Sequence, residues 1–316
     1  MKTTRIFTIL LAAMIFSTSC KKSNEPEAKE MEIWKKDFFG LRMSWLEFNG
    51  YKGQIKSLKT TRYNAYSKFG EITLGSIIDE EYIEFDKEGF ITIQGDREYI
   101  YDIKDRCRTI TSRTGGSTTK REIQNLNADG FPEQSDSYSP TGELTARIKY
   151  KYDNYGRLIE QITYDNKGRA TYKLLNVKYG SNGLPASWED YTATATGEHK
   201  FLQRTFKRQY HPNGYLKKML ITEDGTTTAQ MVQEVENNRT KKITFKNFYE
   251  DGSIWFQNTS IYNNKEELVE MLHYQDGKLE QRTEYESDSI GNIIKETEFE
   301  DEEPVAVKLI EIEYYK

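Results

Sequence analysis

A short turn signal, Asp or Asn followed closely by Gly, returns along most of the chain and restricts the fold more than any other feature. The stretch YKYDNYGRLIEQITYDNKGRATYK, residues 150–173, reads aromatic-Asp-x-x-Gly-Arg twice. Glycines at positions 130, 142, 156, 168, 183 and 197 are separated by 12, 14, 12, 15 and 14 residues. Self-similarity at a nearly constant period indicates a repeat architecture.

The segments between these turns alternate between apolar and polar residues, as strands do. In ARIKYKYDNYG the residues Ile148, Tyr150 and Tyr152 fall on one face. Asp153 can accept hydrogen bonds from amides further along the turn, and Gly156 can take the positive φ that closes it. The sequence therefore predicts one all-β domain over residues 50–316, built from about a dozen or more antiparallel strands in repetitive hairpins. We expect a curled or spiralling single sheet that is not closed into a tight barrel.

Residues 31–49 do not follow the hairpin pattern. Met31, Trp34, Phe38, Leu41 and Trp45 recur at steps of three and four, which favours a short amphipathic helix that caps the sheet. Two short strands are the competing interpretation. This segment is expected to be a separate N-terminal helical or irregular element.

The first residues have the layout of a secretory signal peptide over residues 1–19. Basic residues precede an apolar run of about 11 residues, which is too short to span a bilayer as a helix, and STSC ends at Cys20. This ending resembles the lipobox of bacterial lipoproteins, which implies an acylated Cys20 and a membrane partner through that anchor. Ordinary cleavage with a free Cys20 thiol is the alternative. Residues 20–30 then form the lipidated cysteine and a flexible polar tether.

Charge and cysteine content argue against a nucleic-acid partner and against an intramolecular disulfide. The formal net charge of −5 argues against nucleic acid as a partner, because nucleic-acid binders present a basic surface. Once Cys20 is acylated, Cys107 has no second cysteine to pair with. We expect Cys107 to be a structural thiol.

The segments Tyr152–Arg157 and Tyr164–Arg169 resemble the YD repeats of the Rhs family, and weaker similarity extends over roughly residues 51–298. This resemblance implies long, spiralling antiparallel sheets. Asp105 and Glu266 stand where the repeat has glycine, so those turns depart from the pattern. The toxin domain and self-cleaving core of large Rhs proteins have no counterpart here, so only the architecture is implied.

No sequence motif indicates catalysis. His199, His211 and His273 lack the spacing of zinc ligands, and there is no nucleophile elbow, phosphate-binding loop or dinucleotide fingerprint. The turns lack the alternating oxygen ligands of a calcium loop. We therefore expect no enzyme, no catalytic residue, no metal and no cofactor, although a pair of distant carboxylates on a β scaffold would leave no sequence motif.

The chain contains 22 Tyr, 15 Phe and 4 Trp, and these aromatic residues allow two interpretations. They can cover a thin sheet, or they can form a surface that stacks on sugar rings, with Trp188 and Trp255 as candidate platforms. The leading hypothesis is a non-enzymatic, lipid-anchored protein of a Gram-negative-type cell envelope that binds or scaffolds through its β surface. Lys21 after Cys20 favours the outer membrane.

Two alternative functions remain open at this point. The protein could be carbohydrate-active, by glycan binding or less readily by hydrolysis, or it could be an immunity partner of an Rhs-type toxin. The partner would then be a glycan or another envelope protein.

Overall fold

The computed structural model describes residues 38–41, 43–193 and 201–316, with only the backbone of Phe201. A single short helix in these ranges, α1, spans Trp45–Phe48. Twenty strands follow: β1 Ile55–Lys68, β2 Glu71–Phe85, β3 Ile91–Gln94, β4 Arg97–Lys104, β5 Cys107–Thr114, β6 Ser117–Leu126, β7 Pro132–Tyr138, β8 Leu144–Tyr152, β9 Leu158–Asp165, β10 Ala170–Tyr179, β11 Pro185–Ala193, β12 Phe201–Tyr210, β13 Leu216–Glu223, β14 Thr226–Glu236, β15 Arg239–Phe248, β16 Ile254–Tyr262, β17 Leu268–Gln275, β18 Lys278–Ser287, β19 Ile293–Glu300 and β20 Glu303–Tyr314.

The sheet is closed. Every strand pairs antiparallel with the next one in the chain, and β1 also pairs with β20, with Leu58 opposite Ile312 and Tyr63 opposite Val307. The expected open, curled or spiralling sheet is therefore wrong, and the fold is a closed all-β barrel of 20 strands. Joining the first and last strands removes the two free edges that an open array would expose.

The turns have the geometry that the sequence predicts. Asp153 Oδ1 accepts hydrogen bonds from the amides of Tyr155 and Arg157, both at 2.9 Å, and Gly156 has φ +76°. Arg157 Nε donates to Asp153 Oδ2 at 2.8 Å, so the Asp and Arg of the motif pair across the turn in a contact called the clasp below. The same backbone bonds form at Asp165, which explains why the motif recurs.

The cross-strand pairs show which residues lie on the same face of the sheet around the whole ring. Residues directly opposite each other in antiparallel strands share a face, and Trp188 lies opposite Phe206, which lies opposite Ile221. Continued pairing places Leu58 on that same face. A cluster around Trp188 and Met219 and a second cluster around Ile55 and Leu58 both lie on it.

The N-terminal segment identifies this face as the inner one. Phe39 and Leu41 pack against the Trp188 cluster, while Trp45 and Leu46 belong to the Leu58 cluster. The chain between positions 41 and 45 can reach at most about 14 Å, so it can contact both walls only from inside the ring. Residues 31–37 of the predicted helical element lie outside the described residues, and the remainder contains only α1.

The outer face carries charged pairs in the middle of its strands. Arg147 makes a two-pronged contact with Asp136, with Nε to Oδ1 at 2.7 Å, and Lys242 lies 2.7 Å from Glu234. Pairs of this kind keep the outer wall polar and suited to water.

The two rims of the barrel differ in packing. The rim that includes turns 127–131, 153–157 and 180–184, here called the buried rim, encloses Phe131, Leu158 and Leu184, each at most 2% exposed. The opposite rim, here called the exposed rim, includes turns 69–70, 249–253 and 276–277, whose residues are exposed. The N-terminal segment packs near the buried rim, because Leu46 N donates to Gly89 O in the β2–β3 turn.

Candidate functional site

Trp188, one of the two predicted platforms, lies in the core. Only 7% of the residue is exposed, and its ring stacks on Phe206 with centroids 4.7 Å apart. Phe39 lies edge-on to Trp188 at 5.8 Å, and the Arg208 guanidinium lies 4.9 Å from the ring centroid. Burial lowers the pKa of Arg208. Trp188 therefore joins the N-terminal segment to the inner wall and leaves no open ring face for a ligand.

Trp255 has a different environment. It lies just after the 249–253 turn of the exposed rim and is 38% exposed. Its ring centroid is 5.4 Å from that of Phe256, and Phe256 contacts His273 edge-on at 4.7 Å. Phe245 lies 6.5 Å from Phe256 and also packs against the Trp188 cluster. An aromatic row therefore runs along the inner wall from the core to the exposed rim.

Carboxamide side chains share the inner wall with this row. Asn247 and Gln275 lie opposite Phe256 on its two neighbouring strands, and Asn258 lies opposite His273. The name Trp255 patch is used below for Trp255, Phe256, His273, Asn247, Asn258 and Gln275. Aromatic faces next to carboxamide donors and acceptors can contact both the apolar and the hydroxyl-bearing sides of a polar ring.

Asn258 supplies the sharpest indication of a ligand in this patch. Its Oδ1 is buried and accepts no hydrogen bond from the protein. Because nearly all buried side-chain polar atoms have a partner, such an atom calls for an explanation. Because neighbouring atoms enclose this oxygen, a hydroxyl donor would reach it only if a side chain of the patch moves on binding.

His273 adds a second polar group of this patch. Burial lowers its pKa, while the nearby Glu280 carboxylate opposes that effect. A neutral imidazole has one donor and one acceptor nitrogen. His273 can therefore exchange hydrogen bonds with hydroxyl groups without placing a charge beside Phe256.

Two concave regions lie elsewhere on the wall. One, of about 470 Å³, is on the inner face of β4–β6, and the other, of about 510 Å³, is on the outer face of β14–β17. The inner region contains Tyr99, Tyr101, Lys120 and Glu122, and burial, as the largest cause, raises the pKa of Tyr101 to about 12. Sequence reasoning missed both regions, although the alternation Tyr99-x-Tyr101 could have indicated the inner one.

The other predicted residues add no chemistry to these regions. Cys20 and His199 lie outside the described residues, and Cys107 is a partly buried free thiol at the start of β5. Among the residues whose positions are described, no three His, Cys, Asp or Glu side chains are grouped to hold a metal ion. In the same ranges no helix has the length and apolar character needed to cross a membrane.

Together, the fold and the patch define a closed all-β barrel with a polar outer wall and an inner wall that carries aromatic and carboxamide side chains at the Trp255 patch. No family model matches the chain, and no curated protein matches it.

The chain is similar at low identity to a number of solved structures, among them two porin-like proteins and a toxin pore. A porin-like protein from Bacteroides uniformis aligns with TM-score 0.33 and 9% identity, covering 83% of this chain and 98% of that one. A porin-like protein from Bacteroides vulgatus gives TM-score 0.29 and 10% identity, covering 84% and 99%. The Photorhabdus luminescens Tc holotoxin pore gives TM-score 0.28 and 12% identity, covering 75% of this chain and 14% of that one. Similarities this weak carry no argument about function.

The resemblance to the Rhs YD repeats is wrong for this chain. It implied a spiralling sheet, whereas β1 and β20 pair over Ile55–Asn64 and close the ring. The repeated motif has a local cause. At both full occurrences the Asp accepts hydrogen bonds from the backbone and side chain of the Arg, and the Gly takes a positive φ.

Proposed function

We propose that this protein is a non-enzymatic, lipid-anchored protein of the cell envelope that binds a glycan at the Trp255 patch. The observation that carries the ligand class is the exposed Trp255 ring, continuous with Phe256 and His273, beside the unpaired acceptor of Asn258. Aromatic rings stack on the C–H faces of sugars while carboxamides bond their hydroxyls.

The envelope location and the anchor rest on the N-terminal sequence. The signal-like residues 1–19 and the lipobox-like ending at Cys20 favour export and acylation. Stable anchoring requires two or more acyl chains, since a single chain binds only reversibly. The charged pairs of the outer wall agree with a barrel that stays in water and is held by its N-terminal segment.

The non-enzymatic part of the proposal has a chemical basis in the patch. Hydrolysis of a glycosidic bond ordinarily uses two carboxyl groups that flank the bond. The Trp255 patch contains none among its six residues. The six residues of the patch therefore provide no such pair of carboxyl groups.

The test is binding of the full-length chain, purified in detergent, to a broad glycan array. Saturable binding is expected, with a loss of at least tenfold in affinity for Trp255→Ala. Tyr155→Ala is the matched control, because Tyr155 is a 71% exposed aromatic residue at the buried rim. It should bind like the unchanged protein.

Asn258→Leu removes the unpaired acceptor at similar volume and should weaken binding while the protein unfolds at an unchanged or higher temperature. Binding that survives both Trp255→Ala and Asn258→Leu would contradict the proposed site. Release of reducing sugars by the pure protein would contradict the non-enzymatic assignment.

A further inference from the structure

The β1–β2 hairpin is much longer than its neighbours. The two strands contain 14 and 15 residues, whereas β3 contains only 4 and ends beside Tyr82. On its β3 side, β2 pairs only through Ile83–Phe85. The part of β2 from Glu71 to Glu81 lies beside the nine β1 residues Thr60–Lys68 and thus extends about 26 Å beyond β3 at the strand rise of about 3.3 Å per residue.

This projecting part has one edge without a described neighbour. Its other edge is bonded to β1 from Lys68 to Thr60. Bulges interrupt the pairing near Tyr63, but no lysine and no proline occurs between Glu71 and Glu81. Exposed strand edges are ordinarily protected from pairing with another chain by lysine or other charged side chains, by proline or by bulges. Here the carboxylates and the bulges give partial protection, and the regularly paired stretch Glu71–Leu74 keeps its backbone donors and acceptors available on the free edge.

Exposed apolar side chains concentrate on the same hairpin. Of the twelve large apolar residues that are exposed in the described parts of the chain, seven lie here: Tyr66, Phe69, Ile72, Leu74, Ile77, Ile78 and Tyr82. Phe69 at the tip is 95% exposed. Exposed apolar residues that concentrate in one element mark an interaction surface more often than isolated residues do.

In the projecting part, three of the four acidic residues lie on the inner face, whereas Glu80 lies opposite Thr61 on the outer face with the apolar residues. Ile72, Leu74 and Ile77 lie opposite Ser67, Ala65 and Tyr63 on the outer face. Asp79 and Glu81 lie opposite Arg62 and Thr60 on the inner face, and Glu71 shares that face. A strand added to the free edge would therefore meet mainly apolar side chains on one face and carboxylates on the other.

We propose that the free edge of β2 binds an extended segment of a partner protein in which apolar and basic residues alternate. Backbone hydrogen bonds would add the segment as a further strand. Its apolar residues would cover Ile72, Leu74 and Ile77, and its basic residues would face Glu71, Asp79 and Glu81. This surface is separate from the Trp255 patch, so either proposal can fail without the other.

The probe is an eight-residue peptide of alternating lysine and valine, acetylated and amidated at its ends. A matched peptide has glutamate in place of lysine. With the full-length chain in detergent, titration calorimetry should show saturable binding of the lysine peptide, with the glutamate peptide at least tenfold weaker. Equal binding of the two peptides, or no binding of either, would overturn the proposal.

Backbone methylation distinguishes strand addition from simple charge attraction. Alternate amides of a strand point to opposite edges. One version of the lysine peptide is methylated only at the backbone amides of its lysines, and a second only at the backbone amides of its valines. Binding should therefore be lost in one version and retained in the other. Binding that survives both changes would overturn the strand-addition mechanism.

Charge reversal in the protein completes the test. Glu71→Lys/Asp79→Lys should invert the preference towards the glutamate peptide. The control, Glu98→Lys/Asp102→Lys, makes the same charge change at exposed positions of β4 and should leave the preference unchanged. Self-association of the unchanged protein in sedimentation velocity, blocked by Leu74→Lys and unaffected by peptide, would identify a second copy as the occupant and overturn the proposal.

Discussion

At the scale of single residues, Glu266 shows how a departure from the repeat became part of the structure. It occupies the glycine position of the β16–β17 turn with φ +61° and is only 8% exposed. Its Oε1 accepts hydrogen bonds from Thr240 N at 2.8 Å and from the Tyr215 hydroxyl at 3.2 Å. One carboxylate thus connects three successive turns of the buried rim.

Replacement of Glu266 by alanine should destabilise the protein by about 1–3 kcal/mol, because the buried Thr240 amide loses its acceptor. Glu266→Gln retains a carbonyl acceptor and should cost less. Asp301→Ala is the matched control, since Asp301 also has positive φ, +46°, but is exposed in its turn. Its effect should be smaller, because both variants place alanine at positive φ but only Glu266→Ala leaves a buried amide without its acceptor. Urea unfolding measures the free energy of unfolding of each variant. Equal losses for Glu266→Ala and Asp301→Ala would contradict the expected ranking.

At the scale of elements, the hairpins and their turns could be predicted because each depends on residues close together in the chain. Asp153 and Gly156 specify their turn without information from any other strand. The positive φ at Asp105 and Glu266 shows that the turn geometry survives where glycine is absent. The location of Trp188 was not predictable, since its burial depends on Phe39 of a distant segment.

The turns at Asp153 and Asp165 allow a direct comparison of how much the Asp–Arg contact stabilises each hairpin. Asp153→Ala should cost about 1–2 kcal/mol, because two amides and the Arg157 guanidinium lose their acceptor. Asp165→Ala should cost less, since the Arg169 side chain is 53% exposed whereas that of Arg157 is 19% exposed and lies 4.2 Å from the Tyr179 ring centroid.

Asp153→Asn keeps one oxygen for the amides and should recover most of the loss. The measurement is the midpoint of thermal unfolding for the three variants. A larger loss for Asp165→Ala than for Asp153→Ala would show that packing of Arg157 on Tyr179 adds nothing to the clasp.

At the scale of the whole molecule, closure is the feature that the sequence pattern did not reveal. Alternation and turn signals are the same in an open array and in a closed ring. The difference lies in the pairing of β1 with β20, such as Leu58 with Ile312, across about 250 residues of chain. An open array would be stabilised mainly by contacts between neighbouring repeats, whereas here the two terminal strands stabilise each other.

The β1–β20 seam can be tested by cross-linking. Lys59 and Glu311 lie opposite each other across it, and their side chains are 48% and 74% exposed. Opposite residues of antiparallel strands have Cα atoms about 4.5–5.5 Å apart, within disulfide range. Lys59→Cys/Glu311→Cys, in a Cys107→Ser background, should therefore form an intramolecular disulfide under mild oxidation, seen as a mobility shift on a non-reducing gel.

The control pair, Lys59→Cys/Lys246→Cys, places the second thiol on β15, which is not paired with β1. It should remain reduced under the same conditions. Rapid oxidation of the seam pair alone requires that the first and last strands lie side by side in solution, because no local fluctuation of an open sheet would bring its two ends together selectively. Failure of the seam pair to oxidise, or equal oxidation of both pairs, would contradict the closed ring and with it the inner location of the Trp255 patch.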